Sequence, residues 1–426
     1  MLDIRFILNH TDTVRESIQQ RGVNANVDEL LALYSKRQSI KTSLDNQRAE
    51  SNRIAKKIPT LAVTEKKEWI DKGRALNQSI SALEEEERAV SALFDEAMLT
   101  IPNILPSDTP IGASDDENVV LRTHLTPRQF DFAPKDHVEL GKSLDLIDFD
   151  AGAKVAGSKF YFLKNEAVLL ELALKLFSMK IANEAGFVSL ITPDVAKTSI
   201  LTGTGFSPRG EESNIYSIEG MDLSLIATAE IPVGGLHSDE ILEEAQLPLK
   251  YVAESHCFRR EAGAAGQESK GLYRVHQFSK IELFQITTPD MGEAAHDEIL
   301  KVEEKLYQLL ELPYRVMRIC AGDLGAAAYK KYDIEVWMPG RSSDEKYGEV
   351  TSASNCTDFQ SRRLNIKYRD SHHKKQYVYT LNGTAIALSR TLMAILENYQ
   401  QKDGSIMIPK VLRDFMGKEK IARRSI

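Results

Sequence analysis

Cysteine is scarce in this sequence, and the positions of the few cysteines exclude two kinds of chemistry. Among 426 residues there are three, Cys257, Cys320 and Cys356, which lie far apart and form no Cys-x-x-Cys pair. This spacing supports neither a disulfide framework nor a zinc site made of cysteines alone. We therefore expect a protein of a reducing compartment, and we predict a cytoplasmic location.

Long hydrophobic runs and an excess of positive charge are also missing. No apolar run reaches the roughly 18 residues that a membrane-spanning helix needs, so we expect no membrane partner. The formal net charge is -8 at pH 7, from 62 acidic and 54 basic residues. This balance disfavours a protein that coats nucleic acid non-specifically, although a local basic patch can still bind phosphate groups.

A heptad pattern is present in the first hundred residues. From Leu30 onwards, mostly apolar residues recur at alternating steps of three and four, and the pattern resumes after an interruption at Pro59. Two helices of matched length predict an antiparallel coiled-coil arm over about residues 27–99. Each helix would be on the order of 45 Å long. A dimerisation or spacer element would show the same pattern.

Basic residues gather near the turn of this arm, whereas the acidic run 84–87 lies nearer its base. Such a distribution suits an arm that contacts the phosphates of RNA, with solvated helix faces as the simpler alternative. The candidate RNA-binding residues are Arg53, Lys56, Lys57, Lys66 and Lys67.

The rest of the chain predicts a larger α+β domain. Pro102 and Pro106 end the helical pattern, which places an N-terminal domain over residues 1–103, a linker over 104–118 and a second domain over 119–426. Strands and helices then follow in an uneven order, which favours α+β over a doubly wound fold. The predicted elements include helices over residues 169–185 and 387–399 and a strand over 377–381.

The most informative stretch reads CFRREAGAAG over residues 257–266 and RVHQFSKIE over residues 274–282. Small residues separate two charged segments that look like strands. An arginine such as Arg259 can make paired hydrogen bonds to a phosphate in this setting. Taken alone, Arg259 and Glu261 would more often form a surface salt bridge of little energetic value.

The surrounding motifs decide between these interpretations, because they resemble those of the seryl-tRNA synthetases of bacterial type. FRxE followed by RVHQFxKxE is similar to the second signature motif of class II aminoacyl-tRNA synthetases. The other matching segments are GTG at 203–205, TAE at 228–230, EVTSASNCTDFQSRR at 349–363, the third class II motif within 380–400, and the weaker first motif over the helix 169–185 and the strand that follows it. The resemblance covers essentially the whole chain. It implies an antiparallel β-sheet flanked by helices, and a homodimer.

This resemblance also implies an activity. Members of the family activate L-serine with ATP, in the presence of Mg²⁺, to seryl-adenylate and transfer the seryl group to the 3′ end of tRNA(Ser). A tRNA(Sec) is a second candidate acceptor. The implied ATP-binding residues are Arg259, Arg260, Glu261, Val275, Phe278, Glu349, Val350, Thr351, Ser352 and Arg390. Among them Arg259 and Arg390 would be catalytic, and Glu349 and Ser352 would hold Mg²⁺.

The implied serine-binding residues are Thr228, Ala229, Glu230, Glu282, Asn382 and Thr384. A pocket that hydrogen-bonds a hydroxyl group rejects the analogue without it, because its own polar groups are then left unmatched. The family resemblance assigns that task to Glu282 and Thr384. Thr384 departs from many members, which carry serine there, so the extra methyl group puts the shape of the pocket in doubt.

Three alternatives compete with this interpretation. Synthetase-like ligases that load amino acids onto carrier proteins lack the coiled-coil arm. An inactive RNA-binding paralogue would not need Arg259, Glu261, Glu349 and Arg390, all of which are present. A zinc-dependent archaeal type would carry a pocket cysteine, which neither Thr228 nor Glu230 provides. Bacterial cytoplasm and an organelle matrix both fit the sequence.

Overall fold

The computed structural model describes residues 1–206, 214–261, 270–342 and 346–423. These residues form two compact units, Met1–Ile104 and Leu105–Ile426. The small residues 262–266, which the sequence predicts to be a flexible loop, lie outside the described residues. Within the described part, no helix is long and apolar enough to cross a membrane.

The N-terminal unit is helical. Its helices are α1 (Ile4–Asn9), α2 (Thr11–Gln20), α3 (Val27–Lys57) and α4 (Val63–Thr100). The side chain of Asn26 caps α3 by accepting a hydrogen bond from the backbone NH of Glu29. Lys56 and Lys57 lie in its last turn, where positive charge interacts favourably with the helix dipole. A 3₁₀ turn at Ile58–Thr60 then separates the two long helices.

Helices α3 and α4 form the predicted antiparallel coiled coil. Near the base of the arm, the Nε of Arg37 lies 3.7 Å from the Oε1 of Glu87. Further along, Ser51 donates a hydrogen bond to Asn77 over 3.0 Å. The seam of the arm buries Ile40, Leu44 and Val90, and the base of the arm joins a larger cluster with α1 and α2. The structure therefore confirms the helical arm that the heptads predict.

The C-terminal unit is built on one eight-stranded sheet. Its strand order is β1-β10-β11-β12-β15-β9-β8-β4, in which all neighbours are antiparallel except the parallel pair β4 and β8. The strands of this unit are β1 (Val119–His124), β2 (Ile147–Asp148), β3 (Phe162–Leu163), β4 (Val188–Ile191), β5 (Val195–Ala196), β6 (Ser224–Leu225), β7 (Ile241–Glu243), β8 (Leu249–Phe258), β9 (Gln277–Thr287), β10 (Tyr314–Arg318), β11 (Lys330–Trp337), β12 (Tyr347–Asn355), β13 (Lys367–Arg369), β14 (Lys375–Tyr377), β15 (Tyr379–Ala387), β16 (Ile406–Met407) and β17 (Lys420–Ile421).

Helices flank the sheet, as the α+β prediction requires. They are α5 (His137–Ser143), α6 (Phe149–Ala156), α7 (Glu166–Glu184), α8 (Thr198–Thr204), α9 (Glu230–Gly235), α10 (Gly292–Leu309), α11 (Phe359–Leu364), α12 (Leu388–Asn398) and α13 (Arg413–Met416). The main core contains buried residues of α7, α10 and α12 together with strand residues such as Ile281 and Leu283. Because side chains alternate along a strand, Lys280 and Glu282 on β9 point to the opposite face.

Candidate active site

A cleft opens on the face of the sheet that carries Lys280. It is lined by Arg259, Glu261, Tyr273, Arg274, Val275, Phe278, Lys280, Glu349, Val350, Thr351, Ser352, Thr384, Ala387, Ser389 and Arg390. These residues are distant in sequence and meet because β8, β9, β15 and β12 are consecutive in the sheet. Helix α12 follows β15 directly and places Arg390 in its first turn.

The Arg259 guanidinium is held in two ways. Its Nε donates a hydrogen bond to the backbone oxygen of Ala227 over 3.3 Å. Its Cζ lies 5.4 Å from the centre of the Phe278 ring, within the range of a cation–π contact. These contacts fix the orientation of the guanidinium group, as the binding of a phosphate through paired hydrogen bonds requires.

Arg390 and Glu349 form an ion pair across the cleft. The NH1 of Arg390 lies 3.2 Å from Glu349 Oε2 and donates a hydrogen bond of 2.9 Å to the backbone oxygen of Glu349. Withdrawal from water would raise the pKa of Glu349, but the positive charges of Arg390, Lys331 and Arg259 lower it to about 2. The side chain of Glu349 is still 42% exposed. It is therefore an ionised carboxylate that a ligand can reach.

Glu261 and Arg274 close another side of the cleft. Glu261 has a left-handed backbone, with φ of 52°, which is uncommon for a residue other than glycine and often marks a functional site. Its Oε2 accepts a hydrogen bond from Arg274 NH1 over 2.9 Å. The neighbouring Val275 is buried. Val275 and Phe278 line the same cleft.

Tyr273 lies against the Arg390 guanidinium. Its ring centre is 4.6 Å from the Cζ of Arg390 and 4.2 Å from that of Arg341. The backbone oxygen of Tyr273 also accepts a hydrogen bond from Arg390 Nε over 3.3 Å. These contacts hold Arg390 in place independently of its ion pair with Glu349.

Several of the predicted serine-binding residues form a polar group near Thr384. Glu282 lies opposite Thr384 in the pairing of β9 with β15, and both are buried. Glu230 accepts hydrogen bonds from Gln360 Nε2 over 2.6 Å and from Asn382 Nδ2 over 2.8 Å. Burial, and next the negative charge of Glu282, raise the pKa of Glu230 to about 7. Burial also raises the pKa of Glu282, against the opposing effect of Lys280.

The structure does not bring every predicted residue to the cleft surface. Of the predicted serine-binding set, Thr384 lines the cleft, whereas Glu282 and Asn382 lie buried beside it. Ala229 is fully buried in an apolar cluster. Arg260 is exposed, and its backbone NH bonds to Asn214.

The five predicted RNA-binding residues all lie on the arm. Arg53 pairs with Glu50 at 3.2 Å, and Lys57 Nζ lies 4.1 Å from the centre of the Trp69 ring. Lys56, Lys66 and Lys67 lie near the same turn of the arm. None of these three lysines forms an ion pair with another residue in the part of the chain that the structure describes. Their assignment to RNA stays a prediction.

Sequence reasoning missed Tyr273, Arg274, Lys280, Ala387 and Ser389, which line the cleft. A signal existed for Lys280, because it lies two residues before the predicted Glu282 and therefore on the same face of a strand. Ser389 and Ala387 similarly lie one and three residues before the predicted Arg390. For Tyr273 the sequence offered little, because its contact with Arg390 is made between distant segments.

Glu349 and Ser352 suit a magnesium ion by their chemistry. Mg²⁺ prefers carboxylate, hydroxyl and water oxygens, and a ligand carboxylate must be ionised. Glu349 meets that condition, since its pKa is about 2. Ser352 offers its hydroxyl three positions further along β12 and is only partly buried. The two residues thus fit the group that the resemblance implies.

Comparison with known proteins assigns the fold and the cleft to a class. Residues 215–399 match the model of the tRNA synthetase class II core domain (G, H, P, S and T). Residues 1–105 match the model of the seryl-tRNA synthetase N-terminal domain. The C-terminal unit thus contains the core of a class II aminoacyl-tRNA synthetase, and the N-terminal unit narrows the class to one family.

Individual relatives agree over the full length. A serine–tRNA ligase of Treponema denticola is 51% identical over 99% of this chain and 100% of its own. The seryl-tRNA synthetase of Pyrococcus horikoshii, solved with ATP, is 40% identical with a TM-score of 0.91, covering 100% of both chains. The cytoplasmic serine–tRNA ligase of Naegleria fowleri, solved with AMP, is 31% identical with a TM-score of 0.85, covering 98% of this chain and 96% of its own. The chain belongs to the seryl-tRNA synthetase family.

Proposed function

We propose that this protein is a serine–tRNA ligase. It activates L-serine with ATP to seryl-adenylate and pyrophosphate, and it then transfers the seryl group to the 3′ end of tRNA(Ser). One observation carries the proposal: Arg259, Arg390 and an ionised Glu349 meet in a single cleft of a class II core. The two structural relatives were solved with ATP and with AMP, which supports nucleotide binding by this chain.

Activation joins two anions. An oxygen of the serine carboxylate attacks the α-phosphorus of ATP, and pyrophosphate leaves from the opposite side. Fixed positive charge offsets the repulsion and favours the in-line geometry. Arg259 binds the α-phosphate and the serine carboxylate, while Arg390 binds the terminal phosphate. No side chain has to act as a nucleophile.

Magnesium, held by Glu349 and Ser352, supplies further positive charge to the phosphates when it is bound. The nucleobase occupies the side of the cleft formed by Phe278, Glu261 and the backbone at Val275. Arg260, Val350 and Thr351 belong to the same ATP-binding proposal. Phe278 offers an aromatic face for stacking, and the backbone beside it offers hydrogen bonds that select a purine.

Serine is recognised at the other end of the cleft. Glu230 and Thr228 hold the ammonium group, with Ala229 and Asn382 shaping the surroundings. Glu282 and Thr384 hold the hydroxyl group. In the second step, a hydroxyl of the terminal ribose of the tRNA attacks the carbonyl carbon of the adenylate, and AMP leaves.

The N-terminal unit supplies the tRNA contacts in this proposal. Residues 1–103 form a tRNA-binding domain, 104–118 a linker and 119–426 the catalytic domain. A homodimer, a cytoplasmic location and tRNA(Sec) as a second acceptor complete the proposal. The arm argues against a ligase for carrier proteins, and the intact charges of the cleft argue against an inactive paralogue.

Amino-acid-dependent exchange of pyrophosphate into ATP tests the first step. We expect exchange with serine alone among the twenty amino acids, and exchange that stops when magnesium is removed but not when zinc is chelated. Aminoacylation of tRNA(Ser) tests the second step, with a carrier protein as the competing acceptor. Exchange with another amino acid, or loading of the carrier instead of the tRNA, would refute the proposal.

A further inference from the structure

A buried cation lies between the two groups that the proposed function assigns to the serine hydroxyl. Lys280 on β9 is 6% exposed. Its ammonium group forms an ion pair with Glu282 Oε2. The same ammonium donates a hydrogen bond to Thr384 Oγ1 over 3.3 Å. Lys280 also lines the cleft, so it is part of the site and not merely of its support.

The ammonium group determines which hydrogen bonds Thr384 can still make. An ammonium group donates hydrogen bonds only, whereas a hydroxyl group has one hydrogen and two lone pairs. When Lys280 occupies one lone pair, the hydroxyl hydrogen of Thr384 has to find another acceptor. Within the described part of the chain, no protein atom accepts it. That hydrogen is therefore available to the oxygen atom of a ligand.

Glu282 offers the complementary group. Its carboxylate already interacts with the Lys280 ammonium and the Thr228 hydroxyl, and its buried Oε2 has lone-pair capacity beyond the Lys280 ion pair among the described residues. A buried carboxylate oxygen in this state gains from a ligand that donates a hydrogen. Together, Thr384 presents one donor and Glu282 one acceptor. An alcohol group matches this pair, because it both accepts and donates.

The balance of charges around the pocket also favours a ligand with a neutral alcohol group. Two carboxylates, Glu230 and Glu282, and two cations, Lys280 and Arg259, lie in this half of the cleft. In the proposed function, a zwitterionic amino acid uses Arg259 for its carboxylate and Glu230 for its ammonium group. Lys280 and Glu282 then face the side chain as a neutral pair. Such a pair accepts a neutral side chain and gains nothing from a second charge.

We infer that Lys280 is a specificity-determining residue, which directs the Thr384 hydroxyl toward the substrate and neutralises Glu282 so that the pocket selects a neutral alcohol side chain. The inference rests on the proposed function, because it assumes that serine binds beside Glu282 and Thr384. Without Lys280, burial would favour the protonated form of Glu282, and a positively charged side chain would replace Lys280 as the group that keeps this carboxylate ionised. L-2,3-diaminopropionate, in which an amino group replaces the serine hydroxyl, is the matching probe.

The test compares Lys280→Met with the wild type by pyrophosphate exchange, using serine and L-2,3-diaminopropionate as substrates. We expect the KM for serine to rise by about 10- to 100-fold, the loss expected for hydrogen bonds that involve charged groups. The KM for ATP should stay within about twofold, because Lys280 contacts no residue assigned to the phosphates. The kcat/KM for diaminopropionate relative to serine should rise by at least about tenfold.

Lys250→Met is the matched control. Lys250 lies on β8 of the same sheet, and its Nζ lies 2.6 Å from Glu298 Oε1, away from the cleft. In this variant, the KM for serine and the kcat/KM for diaminopropionate relative to serine should both stay at wild-type values. A conservative Lys280→Arg change keeps a cation beside Glu282 and should recover part of the lost preference for serine.

The double variant Lys280→Met/Glu282→Gln controls for a folding defect. Removing one member of a buried ion pair destabilises the fold, whereas removing both charges leaves the pocket neutral. We expect this variant to bind serine weakly and to show no gain for diaminopropionate. A wild-type KM for serine in either variant, or an equal rise in the KM for ATP, would overturn the inference. If the wild type itself did not use serine, the proposed function would fail instead.

Discussion

At the scale of single residues, the cleft holds its charged groups through contacts that do not depend on the ligand. Arg390 bonds to the backbone oxygens of Glu349 and Tyr273 as well as pairing with the Glu349 carboxylate. A triphosphate can therefore replace the carboxylate as partner without moving the guanidinium. Groups that are already oriented need little reorganisation during the reaction, which is the main source of electrostatic catalysis.

Arg259→Ala tests the charge at the α-phosphate. We expect adenylate formation to fall by at least about 100-fold, since in the proposed function the lost charge acts where negative charge is transferred. The measurement is serine-dependent pyrophosphate exchange, with circular dichroism as the check on folding. Arg369→Ala, which removes an arginine paired at 3.6 Å with Glu243 on another sheet, should leave exchange unchanged. Near-normal exchange in Arg259→Ala would contradict the assigned role.

The pKa of Glu230 predicts a pH dependence of serine binding. Its carboxyl has a pKa of about 7, raised by burial and by Glu282 and lowered in turn by Gln360, Lys280 and Arg259. The ionised form, which attracts the serine ammonium in the proposed function, is lost as the pH falls below 7. We expect the KM for serine to rise several-fold between pH 7 and about pH 6 and to level off at higher pH.

Glu230→Gln provides the control for this profile. The variant has no ionisable group at this position, so its KM for serine should be high and nearly independent of pH over the same range. The KM for ATP, measured alongside, should not follow the profile. A wild-type KM for serine that stays constant from pH 6 to about pH 8 would show that Glu230 does not bind the ammonium group.

The individual residues differ in how well the sequence could locate them. Arg259, Glu349 and Arg390 stand in long motifs, and the structure places all three in one cleft. Glu303 of α10 had no such signal. It is buried, accepts a hydrogen bond from Thr351 over 3.0 Å, and has a pKa raised well above its ordinary value by burial. Its position beside Thr351 results from the packing of α10 against the sheet, which the sequence does not show.

At the scale of elements, regular local patterns were predicted well and long-range contacts were not. The heptads located α3 and α4, and the local hydrophobic pattern located α12 to within one residue at each end. Helix α7 begins at Glu166, three residues before the predicted start. Glu166 pairs at 2.6 Å with Lys418, a contact across the fold that no local pattern shows.

Strand β15 extends beyond its prediction for a similar reason. The predicted strand stops at Leu381, where Asn382 and Gly383 look like turn residues. The observed strand continues to Ala387 because it lies between β9 and β12, whose backbones supply hydrogen-bond partners. A central position in the sheet therefore overrides the local turn preference.

Gly383 tests how closely α10 packs on this strand. A Cβ atom at Gly383 would clash with Ile299 and lie 2.5 Å from Glu303 Oε1. We expect Gly383→Ala to lower the free energy of unfolding by about 1–3 kcal/mol through overpacking. Gly325→Ala is the control, because a Cβ atom there meets nothing within 4 Å. Equal unfolding midpoints in urea for the two variants would contradict this view of the packing.

At the scale of the whole molecule, the two units have separate cores. Leu30, Phe94 and Met98 at the base of the arm pack with α1 and α2 in one cluster. The residues that line the cleft all belong to Leu105–Ile426. A truncation should therefore spare both cores if it removes residues 37–87 and joins Lys36 to Arg88 through a short Gly-Ser turn. The ion pair of Arg37 with Glu87 shows that the two helices are adjacent at that level.

This truncation should separate the two steps of the proposed reaction. We expect serine-dependent pyrophosphate exchange to persist within about twofold, since the cleft is intact. Aminoacylation of tRNA(Ser) should fall by at least about 100-fold, since the proposed contacts of the arm to the RNA backbone are lost. A milder variant replaces five basic residues by glutamine: Arg53, Lys56, Lys57, Lys66 and Lys67. Because fewer phosphate contacts release fewer counterions, tRNA binding by this variant should be weaker and should depend less steeply on salt concentration. The two activities are measured on the same preparations, with thermal unfolding of each as the folding control. Full aminoacylation by the truncated protein would mean that the arm is a spacer and that the tRNA is held elsewhere.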